Sequence, residues 1–467
     1  MRALLILLGA AAVSACSMAP PLEIPAVPLA QAYKEKAPWT QAAPADRLPR
    51  DSWWVLYSDA ELNDLQRRLL ANSPDLAAAL ARYNRAKAFS DQLRSGFFPS
   101  LTSSGDAQRT RQSETQPPAG TASPRYYNAY ALGVEADYEL DLWGRIRNSV
   151  AAGRLSAEAV AADLESARLS LQAELADSYV TLRGLDRQGA LLEETVVAYD
   201  RALQLTKQRH EAGIVSGLDV ARAATQLDSA RSQRSQNLAA RATAEHAIAA
   251  LVGESPSDFS IAPRVLELTL PAVPADVPSE LLQRRPDIAA AQRRTASANA
   301  SVGVARAAYF PSISLSGTYG FSSTNSSDWL TAPNAAWSIG PSLLFDLFDS
   351  GRRKAQVAEA RAALDEAGAQ YRGVVLNAFV QVEDSLALLN HYAQASEAER
   401  AAVTSAQQAL DFSMNRYKEG AVSYLEVVQS QTTMLTSKQE ALDLETRQLR
   451  ASVGLIRALG GGWSQGD

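Results

Sequence analysis

The chain has 467 residues, enough for two or three globular domains or for one elongated body made from two copies of a unit. With 45 basic and 51 acidic residues the net charge is −6, so no basic field invites nucleic acid. Three histidines and one cysteine leave almost nothing for metal or thiol chemistry, and a hydrophobic share of 46% suits tightly packed helices.

In chain order, the N-terminus reads as a processing signal. Arg2 is a positive n-region and Ala3 to Val13 an apolar run too short to span a bilayer. Val13-Ser14-Ala15-Cys16 then places small residues before the only cysteine. The arrangement resembles a bacterial lipobox, which implies a signal peptide of residues 1–15 and lipidation, palmitate included, of Cys16; the competing reading is an ordinary secretory signal with an incidental cysteine. Ser17 rather than Asp after the cysteine implies, by the lipoprotein sorting rule, the outer membrane. Residues 16–50, rich in Pro and Ala, read as a tether. Trp53 and Trp54 are expected to pack under helices rather than to anchor at an interface. A helix pair is expected from Ala60 to about Phe97, broken near Ser73-Pro74.

After Phe98-Pro99 and again after Phe310-Pro311 the apolar period changes from 3.6 to 2. Ile313, Leu315, Tyr319 and Phe321 alternate with Ser312, Ser314, Ser316, Thr318 and Gly320. Tyr130, Leu132, Val134, Ala136, Tyr138, Leu140 and Leu142 do so against Ala131, Gly133, Glu135, Asp137, Glu139 and Asp141, and Trp337, Ile339, Leu343 and Phe345 against Ser338, Gly340 and Ser342. Strand pairs are therefore expected at about 101–112 with 128–142, and 312–322 with 335–346. Leu101 to Thr110 is the weakest pattern of the four. The runs have the roughly 9 to 11 residues of a tilted transmembrane strand. Four strands are too few to close in lipid, and about eight give a barrel filled by side chains. Three chains, with about 12 strands, are the first number here to leave a watery lumen. A soluble β-hairpin sandwich is the alternative.

Between Arg145 and Glu211 no proline occurs in 67 residues, which as one helix would span about 100 Å at 1.5 Å per residue. Leu171, Leu175, Tyr179, Leu182, Leu185, Leu192, Val196, Tyr199 and Leu203 form its apolar stripe, and Val428, Leu435, Leu442, Leu449 and Ile456 step by seven on a later limb. Such helices build either a solid coiled coil or the wall of a tube.

One stretch occurs twice. Arg209-His210-Glu211-Ala212-Gly213-Ile214-Val215-Ser216-Gly217-Leu218-Asp219-Val220 recurs as Arg416-Tyr417-Lys418-Glu419-Gly420-Ala421-Val422-Ser423-Tyr424-Leu425-Glu426-Val427, an offset of 207. Each copy is a turn between long helices, with Gly ending one helix and Ser able to cap the next. The offset also relates Gly144-Arg145 to Gly351-Arg352, marking an internal tandem duplication. The first repeat covers 51–253, with a helical hairpin at 145–253 and its tip at 213–217. The second covers 279–460, with a hairpin at 352–459 and its tip at 420–424. Residues 254–278 form a linker containing a strand-like Val265 to Leu270, and 461–467 a C-terminal tail.

Together these features resemble the outer-membrane factors of the TolC superfamily, above all the lipid-anchored, OprM-like (NodT-type) efflux branch. Tyr138-Glu139-Leu140-Asp141-Leu142-Trp143-Gly144-Arg145 and Arg416-Tyr417-Lys418-Glu419-Gly420 carry the likeness most specifically. The resemblance implies an α+β membrane protein of the Gram-negative outer membrane: a homotrimer whose 12-stranded transmembrane β-barrel, four strands per chain, continues into a 12-helix periplasmic α-barrel. It implies a passive, gated duct for drugs or other small toxic compounds, with no catalytic residue, cofactor or metal. Its implied partners are a periplasmic adaptor (membrane fusion protein), an inner-membrane resistance-nodulation-division transporter and outer-membrane lipid. Arg209, Gly213, Val215, Ser216, Arg416, Gly420, Val422 and Ser423 match the turns that meet the adaptor, although turn chemistry alone accounts for the Gly and Ser. Asp219 and Tyr417 match positions that hold such a channel shut, and Leu425, Glu426 and Gln429 match pore-facing positions. The family often has Asp where Gln429 stands, and the bland reading of these three is a polar helix face. A type I protein-secretion duct and a non-conducting envelope-spanning lipoprotein scaffold remain as alternatives. Catalysis by Glu135, Asp137, Glu139 and Asp141 is disfavoured because residues spaced by two on one strand face read as a hydrophilic lumen, and His210, His246 and His391 lack ligand spacing.

Overall fold

The computed structural model describes residues 17–25, 33–34, 52–111, 113, 126–271 and 285–461; the expected signal peptide, Cys16 and most of the expected tether and tail lie outside the described residues. The chain folds as two compact units, one from Met1–Pro25, Tyr83–Val160 and Ala290–Tyr371, the other from Ala26–Arg82, Ala161–Ala289 and Arg372–Asp467. The helices are α1 (Ala60–Asn72), α2 (Pro74–Arg94), α3 (Arg145–Glu211), α4 (Gly217–Leu251), α5 (Pro286–Ala307), α6 (Arg352–Lys418) and α7 (Tyr424–Ala458). The strands are β1 (Ser100–Arg111), β2 (Tyr126–Glu139), β3 (Ser312–Ser323) and β4 (Ala335–Leu344).

The first unit carries an antiparallel sheet in the order β1-β2-β3-β4. Its register is continuous, with Val134 opposite both Ser103 and Tyr319, and Tyr319 opposite Trp337. β2 ends at Glu139 and β4 at Leu344, a few residues before the alternation does. An aspartate stops each strand by turning to the helix that follows. Asp141 accepts from the backbone N–H groups of Ile146 (3.1 Å) and Arg147 (2.8 Å), and Asp349 from those of Gly351 (3.0 Å) and Arg353 (3.2 Å). Leu140, Leu142 and Phe345 thus belong to junctions rather than strands, and Asp141 is a helix cap rather than a strand-face residue. Trp143 stacks on Phe310 at 4.6 Å and donates from its indole to the Pro311 carbonyl. In the same unit Ser17 and Asn148 are hydrogen-bonded, and the Pro20 carbonyl accepts from Asn299.

The second unit is a helical core. Asp59 caps α1 by accepting from the N–H groups of Glu61 and Leu62, and Pro74, which fits a first helical turn, separates α2 from α1. Trp53, Trp54 and Tyr57 form a buried 3₁₀ turn, and the Tyr57 hydroxyl meets Ser452 Oγ at 2.7 Å. Leu175, Tyr179 and Leu182 of α3 are fully buried, as are Ile248, Val375, Val382, Leu386 and Ile456, all below 1% exposed. Fully burying one such Leu, Ile or Val contributes about 1.5–3 kcal/mol. A Cβ on Gly184 would lie 2.5 Å from Thr446 Oγ1, so α3 and α7 approach at a distance only glycine allows.

One layer of this unit joins the first repeat to the linker and has no counterpart in the second repeat. Arg183, 1% exposed at its side chain, donates to the Tyr179 hydroxyl (3.1 Å), Asp186 (2.7 Å), the Ala262 carbonyl (3.0 Å) and Glu61. Asp186 also accepts from Arg241 Nε (2.6 Å) and the Arg264 N–H (3.1 Å). Arg241 donates to the Ile261 carbonyl, whose own N–H donates to Glu245. These bonds fix residues 261–264 by side chains, while Val265 to Leu270 beyond them is largely exposed and pairs with no strand, contrary to its alternation. At the repeat offset, Tyr179, Arg183, Asp186, Arg241 and Glu245 correspond to Leu386, Asn390, Ala393, Gln448 and Ser452, which cannot build such a network.

Candidate functional site at the hairpin turns and the sheet faces

Both helical hairpins close with the same hydrogen-bond pattern. Gly213 and Gly420 have φ of 72° and 77°, a conformation that costs little only without a Cβ. Gly213 N–H donates to the His210 carbonyl and Ile214 N–H to Arg209 (2.8 and 2.9 Å); Gly420 and Ala421 repeat this toward Tyr417 and Arg416 (3.0 and 2.9 Å). Each is a helix stop in which the last carbonyls bond past a left-handed residue. The start of α4 differs from simple serine capping. The Asp219 carboxylate reaches back to accept from the Ser216 N–H (3.3 Å) and hydroxyl (3.0 Å), complementing the positive end of the helix. Ser423 makes no side-chain cap bond.

The equivalent arginines do different work. Arg209 donates to the Tyr417 carbonyl at 2.8 Å, satisfying an end carbonyl of α6, and its guanidinium lies 4.7 Å from the centre of the Tyr417 ring. Arg416 instead faces Glu426 at 3.8 Å, both about half exposed. Beneath the turns Tyr199, Leu203, Leu227, Tyr417, Tyr424 and Val427 form a buried cluster, against which Val215 and Val422 are partly packed. The Tyr417 and Tyr424 rings meet edge-on at 5.2 Å. Burial pushes the Tyr199 and Tyr424 hydroxyls up to about 12, so both stay neutral at physiological pH. The Tyr417 hydroxyl is buried without a hydrogen-bond partner, while Asp219 is engaged with Ser216, so the two are not joined within one chain. Leu425, Glu426 and Gln429 are exposed at the start of α7, and Ile214 and Leu218 are exposed apolar side chains at the first turn.

The sheet segregates its chemistry by face. Opposed residues share a face, so Leu132, Val134, Leu315, Tyr319, Phe321, Trp337, Ile339 and Leu343 fall on one side. Trp337 is 73% and Leu343 65% exposed, a concentration of apolar surface that water does not favour. The other side carries hydroxyl ladders, with Ser314–Ser342 at 2.7 Å and Thr318–Ser338 at 2.8 Å, and Ser316 donates to Asp137 at 2.8 Å. Its charged residues, Asp106, Glu135, Asp137 and Glu139, are all acidic. Glu139 pairs with Arg145 at the junction. Both edge strands, β1 and β4, present unpaired backbone groups. Among the described residues no group of His, Cys, Asp or Glu is placed to hold a metal, and no helix is long and apolar enough to cross a membrane.

Sequence reasoning missed the Arg183 network and the cluster of Tyr199 and Tyr424 beneath the turns. A residue-by-residue comparison of the two repeats would have exposed the first, because its charges lack counterparts.

A fold of this kind, a two-faced strand quartet and two very long helical hairpins, is that of the outer-membrane channels. The solved outer-membrane channel OprN is similar with a TM-score of 0.85 and 32% identity, covering 95% of this chain and 99% of that one. The sequence pattern of the outer membrane efflux protein family matches residues 65–254 and 277–461. Outer membrane protein OprJ of Pseudomonas aeruginosa is 34% identical over 98% of this chain and 96% of its own length. Toluene efflux pump outer membrane protein TtgC of Pseudomonas putida is 30% identical over 96% and 93%. The chain belongs to the outer membrane efflux protein family, a family of efflux channels of the outer membrane rather than of enzymes.

Proposed function

We propose that three copies close their sheets into a 12-stranded transmembrane barrel, that their hairpins form a 12-helix periplasmic tube, and that the assembly is the exit duct of a tripartite pump. The sheet carries this reading. Apolar on one face, hydroxyl-rich and acidic on the other, and unpaired at both edges, it is satisfied in lipid only by closure onto further strands around a watery lumen. The duct conducts passively; a periplasmic adaptor and an inner-membrane resistance-nodulation-division transporter supply capture and energy, and Cys16 carries the lipid anchor. Relatives named for toluene and antibiotic efflux support small toxic compounds as cargo.

The turns are the adaptor surface, where Gly213, Ser216, Gly420 and Ser423 leave room for a partner and Ile214 and Leu218 supply apolar area. Arg209, Val215, Arg416 and Val422 hold the turns in shape. Tyr417 and Asp219 do not bond within one chain, so the latch runs between copies and forms when the buried Tyr417 hydroxyl swings out of its cluster to the neighbouring copy's Asp219, a charge-assisted hydrogen bond of about 1.5–3 kcal/mol. Leu425, Glu426 and Gln429 line the closed end, and three copies of Glu426 favour cations.

Planar-bilayer conductance of the purified mature protein tests this. A low, cation-preferring current that rises in Tyr417→Phe with Asp219→Ala supports the latched duct. Inserted protein that conducts in neither form defeats it in favour of a scaffold, and a large current unchanged by the substitutions removes the latch.

A further inference from the structure

Among the described strands, the apolar face carries only two charged residues, Arg109 and Arg111, both on β1 and both at the loop end. We infer that these two arginines bind the phosphate of an anionic lipid headgroup in the leaflet at the loop end of the barrel; the inference rests on the barrel reading above.

Depth is the first argument. Ten residues separate the level of Ile313 from that of Ser323, which lies opposite Tyr130. At about 3.3 Å per residue and a tilt near 40° they span about 25 Å, the height of the apolar band of an outer-membrane barrel. Arg109 lies opposite Asn128 and Arg111 opposite Tyr126, two and four residues beyond Tyr130. That sets them about 5 and 10 Å past the hydrocarbon edge, where headgroups sit.

Side and charge supply the second. The register turns both guanidinium-bearing residues to the lipid side, while every charged residue on the lumen face of these strands is acidic. Alternate residues on one face are about 7 Å apart, a spacing that two guanidiniums bridge with one phosphate between them. Two like charges so close repel, and a phosphate removes that repulsion while accepting bidentate, charge-assisted hydrogen bonds. Both arginines are exposed, and Arg111 is steadied by its guanidinium lying 5.7 Å from the centre of the Tyr126 ring. The occupant is a lipid rather than free phosphate, because the same face continues into Leu132 and Phe321, which match acyl chains.

The test incorporates the full chain into phosphatidylcholine nanodiscs doped with diphosphorylated lipid A or its dephosphorylated counterpart, and quantifies retained lipid by mass spectrometry. The expected result is a preference of at least about tenfold for the phosphorylated lipid, lost in Arg109→Gln with Arg111→Gln and partly kept in the double Lys variant. The preference should withstand millimolar inorganic phosphate. No preference in the wild type, a preference that survives the Gln variant, or displacement by free phosphate overturns the proposal. Conductance of the same preparations separates the two readings: a conducting double Gln variant keeps the barrel whatever becomes of the lipid site, and a wild type that fails to conduct removes both.

Discussion

Arg183→Met keeps the apolar stem of the side chain and deletes its charge from a buried network, so its consequence can be worked bond by bond. Four interactions disappear, to Tyr179, Asp186, Glu61 and the Ala262 carbonyl. Removing one partner of a buried ion pair costs about 3–5 kcal/mol. The low end applies because Asp186 retains Arg241 and the Arg264 N–H, and Glu61, a third exposed, rehydrates. About 3 kcal/mol corresponds to roughly a 100-fold change in a local opening equilibrium. The loss should fall on residues 261–264, whose amides at Ile261 and Arg264 donate into this layer. Hydrogen exchange read by mass spectrometry should therefore show the peptide around Ile261 exchanging about 100-fold faster, with peptides at the hairpin turns unchanged. Arg450→Met is the control, since its bidentate pair with Asp177 is exposed at 47% and 35% and contributes at most about 1 kcal/mol. Acceleration below tenfold at Ile261, or equal acceleration at the turns, would refute the claim that Arg183 is the local fastener.

Trp337→Arg places a charge on the apolar sheet face and should destabilise the membrane form by about 2–4 kcal/mol, whereas Ser338→Arg on the hydroxyl face should be nearly neutral; heat-modified gel mobility after reconstitution compares them. Burial alone would raise the Glu445 carboxyl, but hydrogen bonds from Arg187 (2.7 Å) and Arg400 (3.1 Å) hold it below its ordinary value. A depressed carboxyl stabilises above its unfolded value and loses that contribution as pH falls through the folded one. The thermal midpoints of wild type and Glu445→Gln should therefore differ at neutral pH and converge in acid. Gly253→Ala should lower the thermal midpoint by several degrees, because φ is 74° and the new Cβ would sit 2.4 Å from the Asn72 carbonyl oxygen.

Local signals were readable in the sequence. The repeated Gly-x-Val-Ser turns, the prolineless run from Arg145 to Glu211 and the alternation of Ile313 to Phe321 state their own backbone geometry, and α3, β3 and both turns follow them. What escaped was set by partners distant in sequence. Arg183 draws on residues from Glu61 to Ala262, so nothing in its own helix announces the role. Val265 to Leu270 alternates like a strand, yet alternation creates no partner, and the segment lies largely exposed. Leu140 and Leu142 kept the strand period past the point where Asp141 turned the chain, since a cap is chosen by geometry that hydropathy does not record. At the turns, the matching sequences concealed that Arg209 and Arg416 face different neighbours.

The two repeats have helices of equal length, 67 and 67 residues before the turn and 35 and 35 after it. Length therefore behaves here as a phase. One residue inserted between Ala202 and Arg209 would rotate Arg209 by about 100° and lift it about 1.5 Å, carrying its guanidinium off the Tyr417 carbonyl. Seven residues inserted on all four limbs would return every face nearly to its starting azimuth and lower both turns together by about 10 Å. A length change that keeps both turns in register would therefore come in heptads and be shared between the copies, and two turns lowered together would still meet a partner as one surface.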